Sequence, residues 1–218
     1  TTKPAGFALD VRDGDAYARG ADEAEASLGP VSLLFNNAGV AGAISPARMS
    51  YALWDWVIDI NLGGVINGIQ TFVPRMIERG PGYVVNTASG AGLVAAGSGF
   101  LYTTSKFAVV GMSEALRLEL APNDIGVSVL CPGPVATNIV AHTEANRPVR
   151  SGVPTEKAAR RMEMSTKMLH AGTHPDAVGE MVITGMRDDA MFIHTYAVMR
   201  EFVRMRMTNL LDSFPGDA

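Results

Sequence analysis

Short apolar segments alternate along this sequence with longer segments of helical periodicity, and that alternation limits the fold more than any other feature. Residues 6–11 precede a helix that Asp13 caps, and residues 31–35 precede a loop and a long helix. The segment 31–35 is apolar throughout, as expected of a strand that other elements cover on both faces. Alternating strands and helices predict an α/β fold with a parallel sheet.

The element boundaries follow from Gly, Pro and capping residues. The predicted strands cover residues 6–11, 31–35, 83–87, 126–130 and 191–194. The predicted helices cover residues 13–28, 50–78, 100–120, 156–170, 176–187 and 197–211. The second helix is expected to break or bend at Pro74. The polar stretch 137–154 predicts an irregular, flexible loop.

The composition argues against several partners. The net charge is −4 and no run of Lys or Arg occurs, which argues against nucleic acid or an anionic membrane as a partner. No apolar run approaches the roughly 18 residues of a membrane span. Cys131 is the only cysteine, so no intrachain disulfide can form, which favours a cytoplasmic location. The four histidines lack metal-ligand spacing, so we predict no metal site.

Tyr102 and Lys106 lie four residues apart on the predicted helix 100–120. Side chains at this spacing share one helix face, so the phenol and the ammonium can act on one site. A nearby ammonium favours the phenolate and lowers the pKa of the tyrosine from about 10. The tyrosine can then take a proton from an alcohol or return one to a carbonyl oxygen. A solvated Tyr–Lys pair is the structural alternative.

Two further motifs lie at predicted strand ends. Ser89 follows strand 83–87, where open α/β sheets bind ligands, and this hydroxyl could hold a substrate oxygen against Tyr102. Asn36-Asn37-Ala38-Gly39 follows strand 31–35 directly. Asn offers donors and acceptors, and Ala and Gly let a ligand approach closely. Each motif taken alone also fits an ordinary strand-end turn.

In this order and spacing, the motifs resemble the short-chain dehydrogenase/reductase family. The resemblance implies one domain, residues 1–218, with a Rossmann-like, doubly wound parallel sheet. It also implies hydride transfer between NAD or NADP and a secondary alcohol or ketone. Asn61, in Ile60-Asn61-Leu62-Gly63-Gly64, matches the family's helix asparagine. The implied catalytic roles are acid/base for Tyr102, pKa tuning and ribose binding for Lys106, substrate orientation for Ser89 and a proton relay for Asn61.

The resemblance also implies a cofactor site. Asp10 and Val11 match the pair that holds the adenine at the end of the family's third strand. The segment 132–137 resembles the one that contacts the nicotinamide carboxamide. The whole implied set is Asp10, Val11, Asn37, Ala38, Gly39, Tyr102, Lys106, Pro132, Gly133, Val135 and Thr137. Residues 138–170 take the place of the family's substrate-binding lid.

The resemblance begins at the family's third strand. The family opens with a strand, a TGxxxGxG turn and a second strand–helix unit, and residues 1–9 match none of these. In the family's sheet the two unmatched strands belong between 6–11 and 31–35, which implies a gap of about 15 Å there. We therefore hypothesise a fragment that binds NAD(P) weakly or undetectably by itself. Direct pairing of 6–11 with 31–35 would refute this, and so would micromolar NAD(P)H affinity in calorimetry.

Two functions stay open from the sequence. The first is an active alcohol dehydrogenase or ketone reductase, and the second is a truncated, non-catalytic relative that acts as a binding or assembly subunit. Sequencing the gene upstream of Thr1 discriminates them. Asn146-Arg147-Pro148 and the segment 210–215 resemble bacterial members that oxidise benzylic alcohols of aryl ethers, which suggests an aromatic substrate. Helices 50–78 and 100–121 resemble the family's dimer-forming pair, so a homodimer or homotetramer is expected.

Three groups of side chains have more than one interpretation. Cys131 is expected to be a small buried hydrophobe and not a nucleophile. Methionines at helical spacing belong to the core or line an adaptable substrate pocket. They are Met162, Met164, Met168, Met199, Met205 and Met207. Arginines in the lid face solvent or meet an acidic substrate. They are Arg147, Arg150, Arg160 and Arg161.

Overall fold

A four-stranded parallel sheet forms the centre of the protein. A computed structural model describes residues 5–41, 46–95, 97–148 and 156–216. Its strands are β1 (Leu33–Asn36), β2 (Gly82–Thr87), β3 (Ile125–Cys131) and β4 (Phe192–His194), in the order β1-β2-β3-β4. Every pairing between neighbouring strands is parallel. The predicted α/β class with a parallel, Rossmann-like sheet is confirmed.

Helices lie on both faces of this sheet. Their bounds are α1 (Gly14–Leu28), α2 (Tyr51–Ile58), α3 (Gly64–Arg79), α4 (Phe100–Leu120), α5 (Ile139–Asn146), α6 (Glu156–His170), α7 (Pro175–Arg187) and α8 (Met199–Leu211). α1, α3 and α4 pack against Val84 and Val127 on one face, and α7 packs against Val85 and Leu130 on the other. In the described part of the chain, no helix is long and apolar enough to span a membrane.

β1 differs from the prediction of a strand covered on both faces. Leu34 is buried, but Leu33 and Phe35 are about half exposed. Side chains alternate along a strand, so Leu33 and Phe35 point to the face that carries α7. α7 covers β3 and β4, and no described helix covers β1 on that face. The expected burial of both faces is therefore wrong for this strand.

The predicted strand at residues 6–11 does not form. β1 pairs with β2 alone among the described strands, so residues 6–11 do not hydrogen-bond to it as a ladder. The segment instead rests on α3, where the Asn67 side-chain amide donates to the Val11 carbonyl at 2.7 Å. Gly64 lets the Val11 side chain approach closely, since a Cβ there would come within 2.8 Å of Val11 Cγ2. The pairing that would refute the fragment hypothesis is not formed, and that hypothesis stays a prediction.

The long helix predicted over residues 50–78 is interrupted, but not at Pro74. A π-helical turn, Asp59–Gly63, separates α2 from α3, while Pro74 lies within α3. Pro74 removes one backbone hydrogen bond, and burial of the adjacent Val73 and Met76 keeps the helix on the sheet. Of the two alternatives predicted for Pro74, a break or a bend, the break is wrong. The π turn matters for the site because it contains Asn61.

The stretch predicted as an irregular loop contains helix α5. Its Thr143 is 3% exposed, which shows that the helix packs against the body of the protein. The sequence could not predict it because its apolar residues do not form a helical stripe. Residues 149–155, in the rest of the stretch, lie outside the described residues.

A buried chain of polar side chains ties β1, β2 and α4 together. The Asn36 side-chain amide donates to the Asn86 side-chain oxygen (Oδ1) at 2.9 Å, and the Asn86 side-chain nitrogen donates to the Ser113 hydroxyl at 3.0 Å. Ser113 in turn donates to the Val109 carbonyl at 2.7 Å. Partnered polar groups in a low-dielectric interior fix geometry strongly, so this chain sets the position of α4 relative to the strand ends.

Candidate active site

Tyr102 and Lys106 lie in the first turns of α4, next to the carboxyl end of β2. The Lys106 ammonium donates to the Thr87 carbonyl at 2.8 Å, and its nitrogen lies 5.8 Å from the centroid of the Tyr102 ring. Lys106 is only 4% exposed. The helical spacing therefore brings the two side chains together, and because Lys106 is buried and Tyr102 is partly buried, the solvated-pair alternative does not describe them.

Ser89 reaches the same place through a tight turn after β2. Its hydroxyl accepts a hydrogen bond from the Ala91 amide at 3.1 Å, and the turn continues to Gly92. A Cβ on Gly92 would come within 2.6 Å of the Lys106 carbonyl oxygen, so only glycine lets the turn approach α4 this closely. The Gly90 amide also donates to the Pro132 carbonyl at 2.8 Å, which holds the turn against the end of β3.

The pKa of Tyr102 is raised, contrary to the expectation from sequence. Burial raises it above the ordinary value, and hydrogen bonding by the Ser89 hydroxyl opposes that effect. The Lys106 ammonium does not reverse the shift because it is directed to the Thr87 carbonyl. The predicted lowering of this pKa by the lysine is therefore wrong for this structure. Tyr102 keeps its proton at neutral pH.

Burial has the opposite effect on Lys106. Removing an ammonium from water favours the neutral amine, and the pKa of Lys106 falls to about 8. A tyrosine with a raised pKa and a lysine with a lowered one thus stand side by side. Perturbed titratable groups in contact are typical of functional sites.

Asn61 is fully buried and its side chain is engaged on three sides. Its amide oxygen accepts from the Val40 N–H at 2.8 Å, and its amide nitrogen donates to the Val40 carbonyl at 3.0 Å and to the Ser105 hydroxyl at 3.1 Å. The Ser105 hydroxyl donates to the Tyr102 carbonyl at 2.8 Å. Asn61 therefore joins the loop after β1 to the helix that carries Tyr102. π turns occur frequently at functional sites.

Ser105 and Thr87 belong to the site but were not among the predicted residues. Ser105 bridges Asn61 and the Tyr102 backbone, and Thr87 supplies the carbonyl that holds Lys106. The Thr87 hydroxyl also donates to the Asn37 side chain at 3.0 Å. Ser105 directly precedes Lys106. A helical serine often donates to the carbonyl three or four residues earlier, so the sequence did carry a signal for this hydrogen bond. No comparable signal marks a backbone carbonyl.

The predicted adenine-side residues line one groove. Asp10, Val11 and Ala38 belong to the walls of an open groove of about 590 Å³, together with Ala8, Leu9 and Ile60. The Asp10 carboxylate is half exposed, and Arg12 is its ion-pair partner at 2.6 Å. Gly39, which follows Ala38 in the chain, lies against the site, since a Cβ there would be 3.3 Å from the Asn61 amide oxygen and 3.6 Å from Lys106 Nζ. An open groove whose wall residue Ala38 directly precedes a glycine beside Lys106 fits an elongated cofactor.

The predicted nicotinamide segment, residues 132–137, follows β3 and packs on its neighbours through backbone contacts. The Gly133 amide donates to the Thr195 hydroxyl at 3.1 Å. Gly133 also has no room for a Cβ because the Tyr196 side chain covers it. Val135 pairs with Thr173 as an isolated parallel bridge, and Thr137 is exposed.

The structure decides between the interpretations of Cys131 and of the methionines. Cys131 is buried, and burial raises the pKa of its thiol to about 12, which makes it a poor nucleophile, as predicted. Met199 packs on Gly90, directly after Ser89. The core interpretation is wrong for the other methionines, because α6 and α8 expose them to solvent. They are Met162, Met164, Met168, Met205 and Met207.

The lid arginines that the structure describes have partners within the protein. Arg147 pairs with Glu144 and Arg160 with Glu156, while Arg161 donates to the Gly97 carbonyl at 2.8 Å. Arg150 lies outside the described residues. These contacts favour a structural role for the described arginines over recognition of an acidic substrate.

Comparisons with known proteins point to one family. The profile of the short chain dehydrogenase family matches residues 2–148. A C alpha-dehydrogenase from Sphingobium sp. SYK-6 is 36% identical over 211 residues, which cover 95% of this chain and 69% of that protein. The probable oxidoreductase EphD of Mycobacterium tuberculosis is 34% identical, and the match covers 83% of this chain but only 30% of EphD.

A solved structure is also closely similar. A short-chain dehydrogenase/reductase from Burkholderia phymatum, in complex with NAD, superposes with a TM-score of 0.87 at 31% identity. That match covers 96% of this chain and 77% of the other. With the family profile matching more than half of its length, the chain belongs to the short-chain dehydrogenase family.

Proposed function

We propose that this protein is an NAD(P)-dependent oxidoreductase that interconverts a secondary alcohol and a ketone, with Tyr102 as the acid/base. The observation that carries the proposal is the convergence of the Ser89, Tyr102 and Lys106 side chains at the carboxyl end of β2. Open α/β sheets bind their ligands at this end. A protein that only binds or assembles has no need for a buried lysine beside a partly buried tyrosine.

The cofactor would lie along the groove that Asp10, Val11 and Ala38 line, with Gly39, Lys106 and the segment 132–137 at its nicotinamide end. When bound, NAD(P) supplies the hydride acceptor or donor for the substrate carbon. The protein contributes orientation and proton transfer. The relative from B. phymatum binds NAD, which supports the same cofactor class here.

The raised pKa of Tyr102 suits one direction of the reaction. A protonated tyrosine donates its O–H to a ketone oxygen as negative charge develops there, and the Ser89 hydroxyl can hydrogen-bond the same oxygen. Lys106, with a pKa of about 8, is the adjacent group that can exchange protons near neutral pH. Oxidation of an alcohol needs the tyrosinate, so it should be favoured by higher pH.

Replacing the Tyr102 hydroxyl tests the proposal. Loss of a general acid costs about 10²- to 10⁴-fold in rate, so Tyr102→Phe should reduce kcat by that factor for every substrate in a panel of secondary alcohols and ketones. The measurement is NAD(P)H absorbance at high cofactor concentration. The matched control is Tyr51→Phe, because Tyr51 is 88% exposed and lies outside the site.

Three outcomes separate the candidate functions. Turnover by the wild-type chain that Tyr102→Phe abolishes and Tyr51→Phe retains supports the dehydrogenase. Equal turnover by both variants would contradict the role of Tyr102. Absence of turnover at an NAD(P)H concentration that calorimetry shows to saturate the chain would favour the non-catalytic binding or assembly subunit.

We also propose an aromatic substrate. The side chain of Met199 packs against Gly90 beside Ser89, and a polarisable thioether makes favourable contacts with aromatic rings. The resemblance of Asn146-Arg147-Pro148 and the segment 210–215 to members that oxidise benzylic alcohols supports this substrate class, and the similarity to a C alpha-dehydrogenase over most of the chain supports a dehydrogenase reaction. Aryl and alkyl alcohols in the same panel test this, with higher kcat/KM expected for the aryl members.

We propose further that the protein is a homodimer or homotetramer in the cytoplasm. α3 exposes Ile66 and Ile77, three turns apart on one face, and α4 exposes Gly111 and Leu118, two turns apart. Two helices with exposed apolar or small faces can pack on a second copy as a four-helix arrangement. The cytoplasmic location rests on the single cysteine, Cys131.

A further inference from the structure

The lid segment, residues 138–170, leaves the body of the protein at a closed stem. The Thr173 amide donates to the Pro134 carbonyl and the Ala136 amide donates to the Thr173 carbonyl, both at 3.0 Å. These two hydrogen bonds bring the two ends of the lid segment together. The first lid helix, α5, therefore begins a few residues from a fixed point and directly after Thr137 of the predicted nicotinamide segment.

A second contact joins α5 to a part of the chain that is distant in sequence. The Thr143 hydroxyl, in the middle of α5, accepts a hydrogen bond from the Ala41 N–H at 2.9 Å. The two residues are 102 positions apart in the chain, and Thr143 is 3% exposed. A buried hydroxyl on a lid helix thus satisfies a backbone donor of the loop after β1.

That loop is the one that carries the predicted cofactor residues Asn37, Ala38 and Gly39. Asn61 holds the Val40 N–H and carbonyl, and Thr143 holds the next N–H along the chain. Two buried side chains therefore fix two consecutive residues, one from the catalytic side and one from the lid. The loop cannot shift without breaking a contact to Asn61 or to α5.

We infer that Thr143 is a positioning residue: its hydroxyl docks α5 on the loop after β1 and so supports the placement of Gly39 beside Lys106. An undocked α5 would leave the Ala41 N–H without this partner and remove one of the two supports of the loop. The docking itself is a property of the chain, whereas its effect on cofactor binding rests on the proposed dehydrogenase function.

Amide hydrogen exchange of the 218-residue chain tests the docking without any assay of activity. Thr143→Val keeps the shape of the side chain but removes the hydroxyl, so exchange at Ala41 should be about 5-fold faster or more, as expected for one lost hydrogen bond. Thr143→Ser keeps a hydroxyl and should restore slow exchange. Thr166→Val, on the neighbouring lid helix α6, is the matched control and should leave Ala41 unchanged.

The Val129 amide, which donates to the Met191 carbonyl in the sheet, reports general loosening of the fold. Unchanged exchange at Ala41 in Thr143→Val would overturn the inference. So would equal acceleration at Ala41 and Val129, since that outcome means general destabilisation. Failure of Thr143→Ser to restore protection would also overturn it.

The functional consequence has its own readout. If wild-type turnover is observed, Thr143→Val should raise KM for NAD(P) about 5-fold with a smaller change in kcat, because the hydroxyl supports the loop and does not touch reacting atoms. An unchanged KM would overturn the coupling to cofactor placement. Absence of turnover in the wild type when NAD(P)H is bound would contradict the proposed function, while the exchange experiment still decides the docking.

Discussion

At the scale of single residues, the buried ammonium of Lys106 is the costliest group in the site. Among the described residues its Nζ has one hydrogen-bond acceptor, the Thr87 carbonyl, and the side chain is 4% exposed. The pKa of about 8 means that the folded protein binds the lysine proton less tightly than the unfolded chain does. A site that holds a reactive amine near neutral pH therefore does so at the expense of stability.

This cost predicts a pH dependence of folding. The folded pKa is lowered, so below about pH 8 the full penalty applies, and it is relieved as the pH rises from about 8 toward 10.5. Between pH 7 and pH 9 the wild type should gain about 1 kcal/mol in the free energy of unfolding relative to Lys106→Met. Urea unfolding of both proteins at the two pH values measures this difference.

The comparison with Lys106→Met cancels the other titrating groups, which both proteins share. A constant difference between the two proteins across this range would mean that the lysine titrates normally in the fold. A wild type that loses stability relative to Lys106→Met as the pH rises would contradict the expected direction of the effect.

The residues that could be predicted from the sequence are those with a reactive side chain at a recognisable spacing. Tyr102, Lys106 and Ser89 combine reactive groups with a readable spacing, and the structure brings them together. Sequence reasoning missed Thr143, which makes one hydrogen bond to a residue far along the chain, and Ser105, which bonds both Asn61 and the Tyr102 carbonyl. A hydroxyl of this kind is as common on surfaces as in sites, and only its burial distinguishes it.

At the scale of elements, the stem of the lid segment depends on a glycine. A Cβ on Gly172 would collide with the Pro134 carbonyl group, which is backbone and cannot turn aside. Gly172 thus allows the close approach in which Thr173 exchanges hydrogen bonds with Pro134 and Ala136. The two chain segments at the base of the lid stay in contact because this position has no side chain.

Gly172→Ala should therefore open the stem. The overlap predicts a loss of about 1 to 3 kcal/mol in the free energy of unfolding and faster amide exchange at Ala136 and Thr173. Gly179→Ala is the matched control, because a Cβ at Gly179 on α7 meets nothing within 4 Å. The control should be neutral or stabilising by up to about 1 kcal/mol. Equal behaviour of the two variants would show that the stem tolerates a side chain.

The elements with strong periodicity or clear boundary residues were predictable, and those set by tertiary contacts were not. α4 spans Phe100–Leu120, as its periodicity indicated. α5 lacks an apolar stripe and owes its position to Thr143. The π turn at Asp59–Gly63 has no sequence signature, and residues 6–11 resemble a strand by composition but pair with no described strand. A strand needs a partner edge that composition does not reveal.

At the scale of the whole molecule, the exposed faces of α3 and α4 predict self-association. Gly111 lies on the outer face of α4 with open space around it, so Gly111→Arg should fold as well as the wild type or better, since glycine is a poor helix former. In an assembly through this face, the arginine side chain would clash with the second copy and prevent the two faces from packing. We expect the wild type to sediment as a dimer or tetramer and Gly111→Arg as a monomer.

Gly20→Arg on α1 provides the matched control, because Gly20 is also a helical glycine with nothing within 4 Å of its Cβ position. It should keep the wild-type sedimentation. A monomeric wild type would contradict the proposed assembly. An assembled Gly111→Arg protein would place the interface elsewhere.

The closed stem at Val135 and Thr173 separates the segment between these residues from the sheet. Both ends of the intervening segment leave the sheet at one point, so that segment can change in length or sequence without displacing β3 or α7. The sheet does not depend on this insert, but the loop after β1 does, through the contact between Thr143 and Ala41. A transplanted insert would need a hydroxyl at the position of Thr143 in α5 to engage Ala41.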